Sequence, residues 1–495
     1  MKLLAHNQKA ARREAAQPAR IRGMYRPLPF DLRLAEVLPA GSLFAVGGRV
    51  RDELRAELEG VELTAKDLDY VVTGVTAEDL RQRLERIGRV DLVGAAFAVF
   101  KVTAGGETVD VALPRRERST GIGHRDFEVQ SGPDIPLVDD LARRDFRMNM
   151  IARAVPGGEL VDPFGGEADV RARRLDILTP ATFDEDPLRL LRAAQFAARF
   201  EYEPTEATRA AMSAAAPRAV TVSAERVHDE LVKLFERAAK PSIGLRLLQE
   251  TGVLAYVWPE LLEGIGVMQN EWHAYDVWRH NLETMDATPP GDAVLRIAAL
   301  LHDVAKPRTK DGPHFYRHEL VGAEMARDML SRLRFPHATI DTVGRLVRHH
   351  MYNQDPALTD AAVRRFIRRI GLENLKRQFA IRWADIAGSG LAKRDNSNER
   401  FEARVWDEVA RRPAFSIADL NADGGDVIER MIAHGIVDAT YRGDRRVGET
   451  LQWLFEQVTD HPERNERQTL RALMDDYFAG SIRASNDNAT TISRH

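Results

Sequence analysis

The sequence predicts an α+β protein whose strands are confined to the first part of the chain. Three observations carry that expectation. Residues 28–155 alternate short apolar runs with amphipathic stretches, and from about residue 170 the pattern turns helical and rich in Ala, Leu and Arg. The length of 495 residues exceeds what one hydrophobic core holds, so several domains are expected.

Composition narrows the function classes. Hydrophobic residues make up 44% and charged residues 29%, as in globular proteins. No apolar run reaches bilayer-spanning length, which argues against a membrane partner. There is no cysteine, so disulfides and zinc–thiolate sites are excluded and a cytoplasmic location is expected. The net charge of −4 means that a nucleic-acid partner needs local basic surface. Three arginine groups offer it: Arg143, Arg144 and Arg147; Arg171, Arg173 and Arg174; Arg364, Arg365, Arg368 and Arg369. For any one group alone, a solvated helix face is the simpler reading.

In chain order, residues 1–27 form a basic arm, with Lys2, Lys9, Arg12, Arg13, Arg20, Arg22 and Arg26 against Glu14. The head spans 28–155. Leu43–Val46, Asp69–Val72, Phe97–Val102 and Thr108–Leu113 read as strands, and Val50–Leu58 and Ala77–Ile87 as amphipathic helices. A helical neck is expected over 156–240, a helical body over 241–400 with loops at Lys240-Pro241 and Thr288-Pro289-Pro290-Gly291, and a helical tail over 401–483. Residues 484–495 are polar enough to be expected disordered.

The chemistry starts at Gly47-Gly48-Arg49-Val50-Arg51-Asp52, a glycine pair between a strand and a helix. Glycine lets backbone amides approach a phosphate, and a helix N-terminus favours negative charge. Arg51, one turn in, adds a forked donor. A glycine pair alone marks nothing more than a turn. One helix later come Asp67 and Asp69, which project from the same face of a strand. Two-metal nucleotidyl transfer needs such carboxylates plus a third from a neighbouring strand, and Asp110, alternating with Val109 and Val111, is suited to that part. In isolation the Asp-x-Asp pair reads equally as a solvated strand end; its position after the glycine turn favours the Mg²⁺ bracket.

These residues resemble the polymerase-β-type nucleotidyltransferases that comprise the bacterial-class CCA-adding enzymes and poly(A) polymerases. The resemblance extends through Leu141–Asn149, Leu160–Gly166, Glu185–Ala193 and Glu225–Leu231, and covers residues 40–480. It implies a nucleotidyltransferase head with catalytic Asp67, Asp69 and Asp110. It further implies that Gly47, Gly48, Arg51, Arg144, Asp145, Asp186, Arg189 and Arg192 bind the nucleotide. Asp186 and Arg189, expected on one helix face at i and i+3, would read the base. A carboxylate accepts from the exocyclic amine of C or A, and a guanidinium donates to ring acceptors, whereas U and G present a carbonyl instead. Three departures stand out: Gln195 where arginine is common, Arg147 where Thr is usual, and Gly443–Gly448 without a Gly-Pro pair.

A second constellation lies over residues 280–385: His280, His302-Asp303, His318, His349, His350 and Asp385. Imidazoles and carboxylates are suitable ligands for a second divalent metal. The order resembles the HD phosphohydrolase domain, which implies His280, His302, Asp303 and Asp385 as ligands, with His318 and His349 as further ligands or phosphate contacts. Such domains are active in some CCA-adding enzymes and only structural in others.

The leading expectation is a tRNA nucleotidyltransferase that adds CCA, or part of it, from CTP and ATP. The alternatives are a poly(A) polymerase and an HD phosphohydrolase with a nucleotide-binding head. The tRNA partner would be recognised by shape and phosphates.

Overall fold

The computed structural model describes residues 25–60, 68–93, 99–119, 127–392 and 396–492. The expected basic arm lies almost wholly outside this set, as does Asp67. Two compact units emerge. One comprises residues 1–263 with 290–293 and 332–335; the other comprises 264–289, 294–331 and 336–495.

The first unit is built on a seven-stranded sheet. Its strands are β1 (Leu43–Val46), β2 (Asp69–Val72), β3 (Arg89–Val93), β4 (Val99–Ala104), β5 (Glu107–Ala112), β8 (Ala152–Ala154) and β9 (Leu160–Val161), in the order β3-β4-β5-β2-β1-β8-β9. The hairpin of β6 (Arg115–Ser119) and β7 (Phe127–Ser131) stands apart from it. Among the described strands of this sheet, only β2 and β5 pair in parallel; their register places Asp69 opposite Asp110. The alternation expected for β5 holds: Val109 and Val111 are buried, and Asp110 between them is not. Val46, Val71, Leu141, Met150 and Ala152 form a core on the sheet face that carries the aspartates.

The Gly48–Glu59 helix is tied to this sheet by Arg49. Its guanidinium is buried and donates to both carboxylate oxygens of Asp31 at 2.7 and 2.6 Å and to the Tyr70 hydroxyl at 2.8 Å. The pairing fixes the helix that opens at the glycine turn to β2, the strand that carries Asp69. A buried ion pair of this kind specifies position more than it adds stability. Beyond the sheet, the helices Arg189–Phe200, Ala224–Arg237 and Ser242–Glu250 continue the unit. Their apolar faces bury Leu190, Leu191, Phe196, Leu231, Leu234, Leu245 and Leu248.

Among the described residues, the second unit's only strands are a two-stranded ribbon at Lys310–Asp311 and His314–Phe315, and its other elements are helices. Val363, Phe366, Ile367, Phe379, Phe401 and Val405 pack into one core, and Val427, Leu454, Phe455, Leu470, Met474 and Phe478 into another. The helices Val277–Asp286 and Leu375–Gly388 approach so closely that a Cβ on Gly388 would lie 2.4 Å from Thr284 Oγ1. The last helix runs Arg467–Ile492, so its backbone continues through residues expected to be disordered. Buried Leu470, Met474 and Phe478 anchor its first turns, and a nucleated helix propagates at little cost per residue. No described helix is long and apolar enough to cross a membrane.

The arginine groups divide between fasteners and open surface: Arg171, Arg173, Arg365, Arg368 and Arg369 are exposed, whereas Arg364 is internal. Arg364 is buried and donates to Glu408 at 2.7 Å, with the Thr459 carbonyl as a second acceptor. Arg171 pairs with Glu167, and Arg174 with Asp169, at 2.8 and 2.5 Å.

Candidate active site and candidate metal centre

Gly47 sits at φ +69°, ψ −134°, a conformation that L side chains avoid. The turn also has no room for a side chain. A Cβ there would meet Arg144 Nη1 at 2.6 Å and would stand 3.9 Å from Asp69 Oδ2. The turn therefore brings Gly47, Arg144 and Asp69 to one place. Asp110 joins them by strand register, and Lys101, opposite Asp110 on β4, brings Nζ to 4.0 Å from its Oδ1.

Carboxylates orient the arginines around this point. Asp140, fully buried, accepts from Arg144 Nη2 at 3.1 Å and from Arg143 Nη2 at 2.8 Å. Burial pushes its carboxyl up, but Arg144 and Arg143 outweigh that and hold it below the ordinary range. Asp145 accepts from Arg192 Nε and Nη2 at 2.8 and 2.6 Å, from Asn149 Nδ2 at 2.8 Å and from the Phe146 amide at 2.9 Å. Burial opposes ionisation here too; the Arg192 charge and these hydrogen bonds bring Asp145 down to about 2. Arg51 donates to Asn149 Oδ1 at 2.7 Å and lies over the Phe200 ring, 4.5 Å from its centroid. Arg192 covers Phe196 at 5.0 Å, and Arg55 and Arg199 cover Phe200 at 4.3 and 4.8 Å. Burial and the neighbouring Arg51 lower Arg199 to about 10. The region is thus rich in oriented cationic forks, as a triphosphate requires.

The expected base-reading pair does not share a helix face. Asp186 has φ −140°, ψ 100° and lies between the short helix Thr182–Glu185 and the helix that starts at Arg189. Pro187 explains this, because a residue that precedes proline is pushed out of the helical region. Asp186 Oδ1 accepts from the Leu188 amide at 3.1 Å and Oδ2 from Arg226 Nη2 at 2.8 Å. Arg189 donates to Glu185 Oε2 at 2.9 Å, to the Thr182 carbonyl at 3.1 Å and to the Arg143 carbonyl at 2.6 Å.

The second unit brings its histidines together. His280, His302, Asp303, His318 and His350 are buried, and Asp385 nearly so. Every one of the four imidazoles donates Nδ1–H to a backbone carbonyl: His280 to Gly388 at 3.2 Å, His302 to Ala299 at 2.7 Å, His318 to Phe315 at 2.8 Å and His350 to Val347 at 2.7 Å. A carbonyl can only accept, so Nδ1 carries the proton and Nε2 is turned toward the carboxylates. His280 and His302 bring Nε2 to 3.4 and 3.2 Å from Asp303 Oδ2, and His280 Nε2 is 3.2 Å from Asp385 Oδ1. Burial disfavours charge on His302, but Asp303 and Asp385 lift it to about 10. Asp303 Oδ1 is buried and makes no hydrogen bond of normal geometry. An orphaned carboxylate oxygen among inward-facing imidazole nitrogens fits a divalent cation.

His350, not His349, occupies this pit. His349 terminates the helix His337–Arg348 and is only half-buried, while the next residue points inward. The doublet offers no periodicity to choose between them. Sequence reasoning also missed Lys306, whose Nζ is 2.5 Å from Asp303 Oδ2 and 2.6 Å from Gln269 Oε1. Its i,i+3 spacing from Asp303 was the available signal.

Comparison with known proteins matches this geometry. The family model described as the poly A polymerase head domain covers residues 43–176. One described as the probable RNA and SrmB-binding site of polymerase A covers 201–264, and the HD domain covers 273–412. A multifunctional CCA protein of Ralstonia nicotianae is 34% identical over 418 residues, which span 80% of this chain and 94% of that protein. The chain belongs to the multifunctional CCA protein family. A further member, from Nitrosococcus oceani, is 36% identical over 340 residues, or 66% of this chain and 79% of its own.

Membership makes the protein a nucleotidyltransferase, and the head and HD families generally use divalent metals. Two solved structures share the fold. The Bacillus stearothermophilus CCA-adding enzyme in complex with CTP superposes at TM-score 0.60 with 22% identity, covering 90% of this chain and 94% of its own. The Thermotoga maritima enzyme complexed with tRNA does so at 0.52 with 18% identity, covering 92% and 97%. Against the family pattern, Arg147 proves structural: it bridges Asp169 and Asp176, each at 3.0 Å. Gln195 is buried, and its Nε2 has no hydrogen-bond partner.

Proposed function

We propose that this protein adds CCA to tRNA 3′ ends, taking CTP and ATP in turn and releasing pyrophosphate. The observation that carries the reading is the convergence of Gly47, Arg144, Asp69 and Asp110 at one end of the sheet. Asp69 and Asp110, with Asp67 beside them in sequence, would hold Mg²⁺, which when bound supplies Lewis-acid stabilisation of the attacking and leaving oxygens. Gly47 and Gly48 leave the backbone open to the triphosphate. Arg144 and Arg192, oriented by Asp140 and Asp145, face its charge, and Arg51 is positioned by Asn149. Asp186 and Arg189 would read the base by its amine and ring acceptors. In this reading Arg226 keeps the Asp186 carboxylate aimed, which explains why a neck residue reaches the selector. A bacterial enzyme with these substrates works in the cytoplasm.

The test supplies tRNA ending at the discriminator base, at −C and at −CC with CTP and ATP, separately and together. Stepwise growth that stops at CCA is expected. Homopolymeric A tails on arbitrary RNA would instead favour poly(A) polymerase.

The inward-facing Nε2 atoms around Asp303 and Asp385 favour a second reading for the HD unit: a metal-dependent phosphohydrolase acting on cyclic or 2′-phosphates at damaged RNA ends. Cyclic-phosphate hydrolysis after loading with a divalent metal, abolished by Asp303→Asn while nucleotide addition persists, is the expected result.

A further inference from the structure

We propose that a cavity beside His349 takes the base of an unpaired RNA nucleotide, with the flanking phosphates on Arg348 and Arg369. The site is separate from the glycine turn and from the histidine pit, and it needs no metal in either. The histidine doublet divides its two rings. His350 faces the pit, whereas His349 lines a cavity of about 240 Å³ within the second unit. The Gln378 amide donates to the His349 carbonyl at 3.1 Å, which fixes the backbone where the two side chains part.

Three aromatic rings, Tyr352, Phe366 and Phe401, wall this cavity. Their centroids lie 5.0 Å apart for Tyr352–Phe366, 5.5 Å for Tyr352–Phe401 and 5.2 Å for Phe366–Phe401, so each supports the others. The Tyr352 hydroxyl donates to Asn398 Oδ1 at 2.9 Å, which holds the ring in place. Met351, 55% exposed, adds an adaptable apolar side chain to the lining. His349 and Asn353 bring hydrogen-bonding groups to it, suited to the edge of a base. The volume is below the roughly 300–1,000 Å³ of a pocket that encloses a whole ligand. It suits a flat ring inserted alone, with ribose and phosphate left outside.

Charge names what lies outside. Arg369 lines the cavity, and Arg345, Arg348 and Arg369 stand near enough to act on the His349 ring through their charge. Glu373 lies 3.7 Å from Arg345, but Arg348 and Arg369 are exposed and form no ion pair among the described residues. Unmatched guanidiniums beside an aromatic cavity complement the phosphate and open base face that single-stranded RNA presents together. A duplex keeps its bases stacked inside and offers its phosphates without them. Two separate guanidiniums suit the successive phosphates of a chain better than the single phosphate of a mononucleotide.

The experiment uses the full-length chain and a short single-stranded oligouridylate carrying 4-thiouridine. Irradiation of the unsubstituted protein, followed by peptide mass spectrometry, is expected to place a cross-link within residues 349–369. The yield in that segment, titrated with oligonucleotide, reads this site free of the head. Ala362→Phe, which fills the cavity from a half-buried position on its wall, should weaken binding about tenfold, the worth of one stacked base, and leave the salt dependence unchanged. Arg348→Ala and Arg369→Ala should each reduce the slope of log K against log salt by about 0.7. Thermal midpoints equal to the parent's show that the variants are folded. Cross-links confined to other segments overturn the proposal, as does a folded Ala362→Phe variant that binds like the parent. Equal affinity for a duplex of the same length, which has no free base, also overturns it. A 4-thiouridine monophosphate that cross-links there as tightly as the oligonucleotide makes this a free-nucleotide site and overturns the RNA assignment.

Discussion

Replacing Gly47 with Ala should loosen the nucleotide turn by an amount that the structure allows to be worked out. The backbone at φ +69°, ψ −134° is one that alanine adopts only with strain, about 2 kcal/mol. The new methyl would overlap Arg144 Nη1 at 2.6 Å and drive that side chain from its 3.1 Å contact with Asp140. Asp140 keeps Arg143, so the loss adds about 1 kcal/mol. Together these give about 3 kcal/mol of local destabilisation, or roughly a hundredfold faster exchange of protected amides in β1 and the Gly48–Glu59 helix. Hydrogen-exchange mass spectrometry reads this segment without interference from the second unit. Gly48→Ala is the control. A Cβ there meets only the Arg51 guanidinium, no nearer than 3.4 Å, and alanine is the better helix former, so exchange should be no faster than in the parent. Exchange in Gly47→Ala within threefold of the parent, with unaltered kcat/KM for CTP, would refute the steric argument. An equal loss in both variants would show that the turn is merely fragile.

Asp110→Asn should cut nucleotide addition by at least about 10³-fold, measured as pyrophosphate release, while leaving thermal stability unchanged because the side chain is half-exposed. Asp145→Asn should destabilise the first unit by about 2 kcal/mol, the worth of lowering a carboxyl from 3.8 to about 2. Since the folded value is depressed, that stability is complete above about pH 4 and disappears as pH falls toward 2; the urea-midpoint gap between parent and variant should therefore close only below pH 4. Arg147→Ala should cost about 2–4 kcal/mol, since it leaves buried Asp169 with Arg174 alone and takes a partner from Asp176, and should accelerate exchange around residues 147–176.

Legibility followed how far each feature depends on local sequence. Asp110 was readable because a strand alternates and its valine neighbours must be buried. The glycine turn was readable because only glycine tolerates what happens at position 47. Asp186 leaves the helix of Arg189 because of a local signal, the proline after Asp186, which the i,i+3 spacing obscures. His350 was beyond reach: choosing between adjacent histidines at a helix end requires knowing where the last turn stops, and one residue swings the side chain by about 100°. Gly388 was equally hidden, since its value lies in letting one helix approach Thr284 so that its carbonyl can receive His280. The structural part of Arg147 was hidden because its partners Asp169 and Asp176 are remote in sequence.

The arginine count around the turn overstates the charge that a nucleotide would meet. Arg143 and Arg144 share Asp140, Arg192 is matched by Asp145, and Arg226 by Asp186. Asp140 and Asp145 are held ionised against their own burial, so the enzyme accepts desolvation in exchange for direction. A guanidinium held by a buried carboxylate cannot relax toward solvent, and its remaining N–H donors point where the fold aims them. The HD pit obeys the same rule with different chemistry: backbone carbonyls at Gly388, Ala299, Phe315 and Val347 fix which nitrogen of each histidine faces inward. In both places the candidate residues are readable by type, whereas their orientation is set by acceptors behind them. Substituting Asp140 or Asp145 should therefore alter nucleotide binding about as strongly as substituting the arginines they hold.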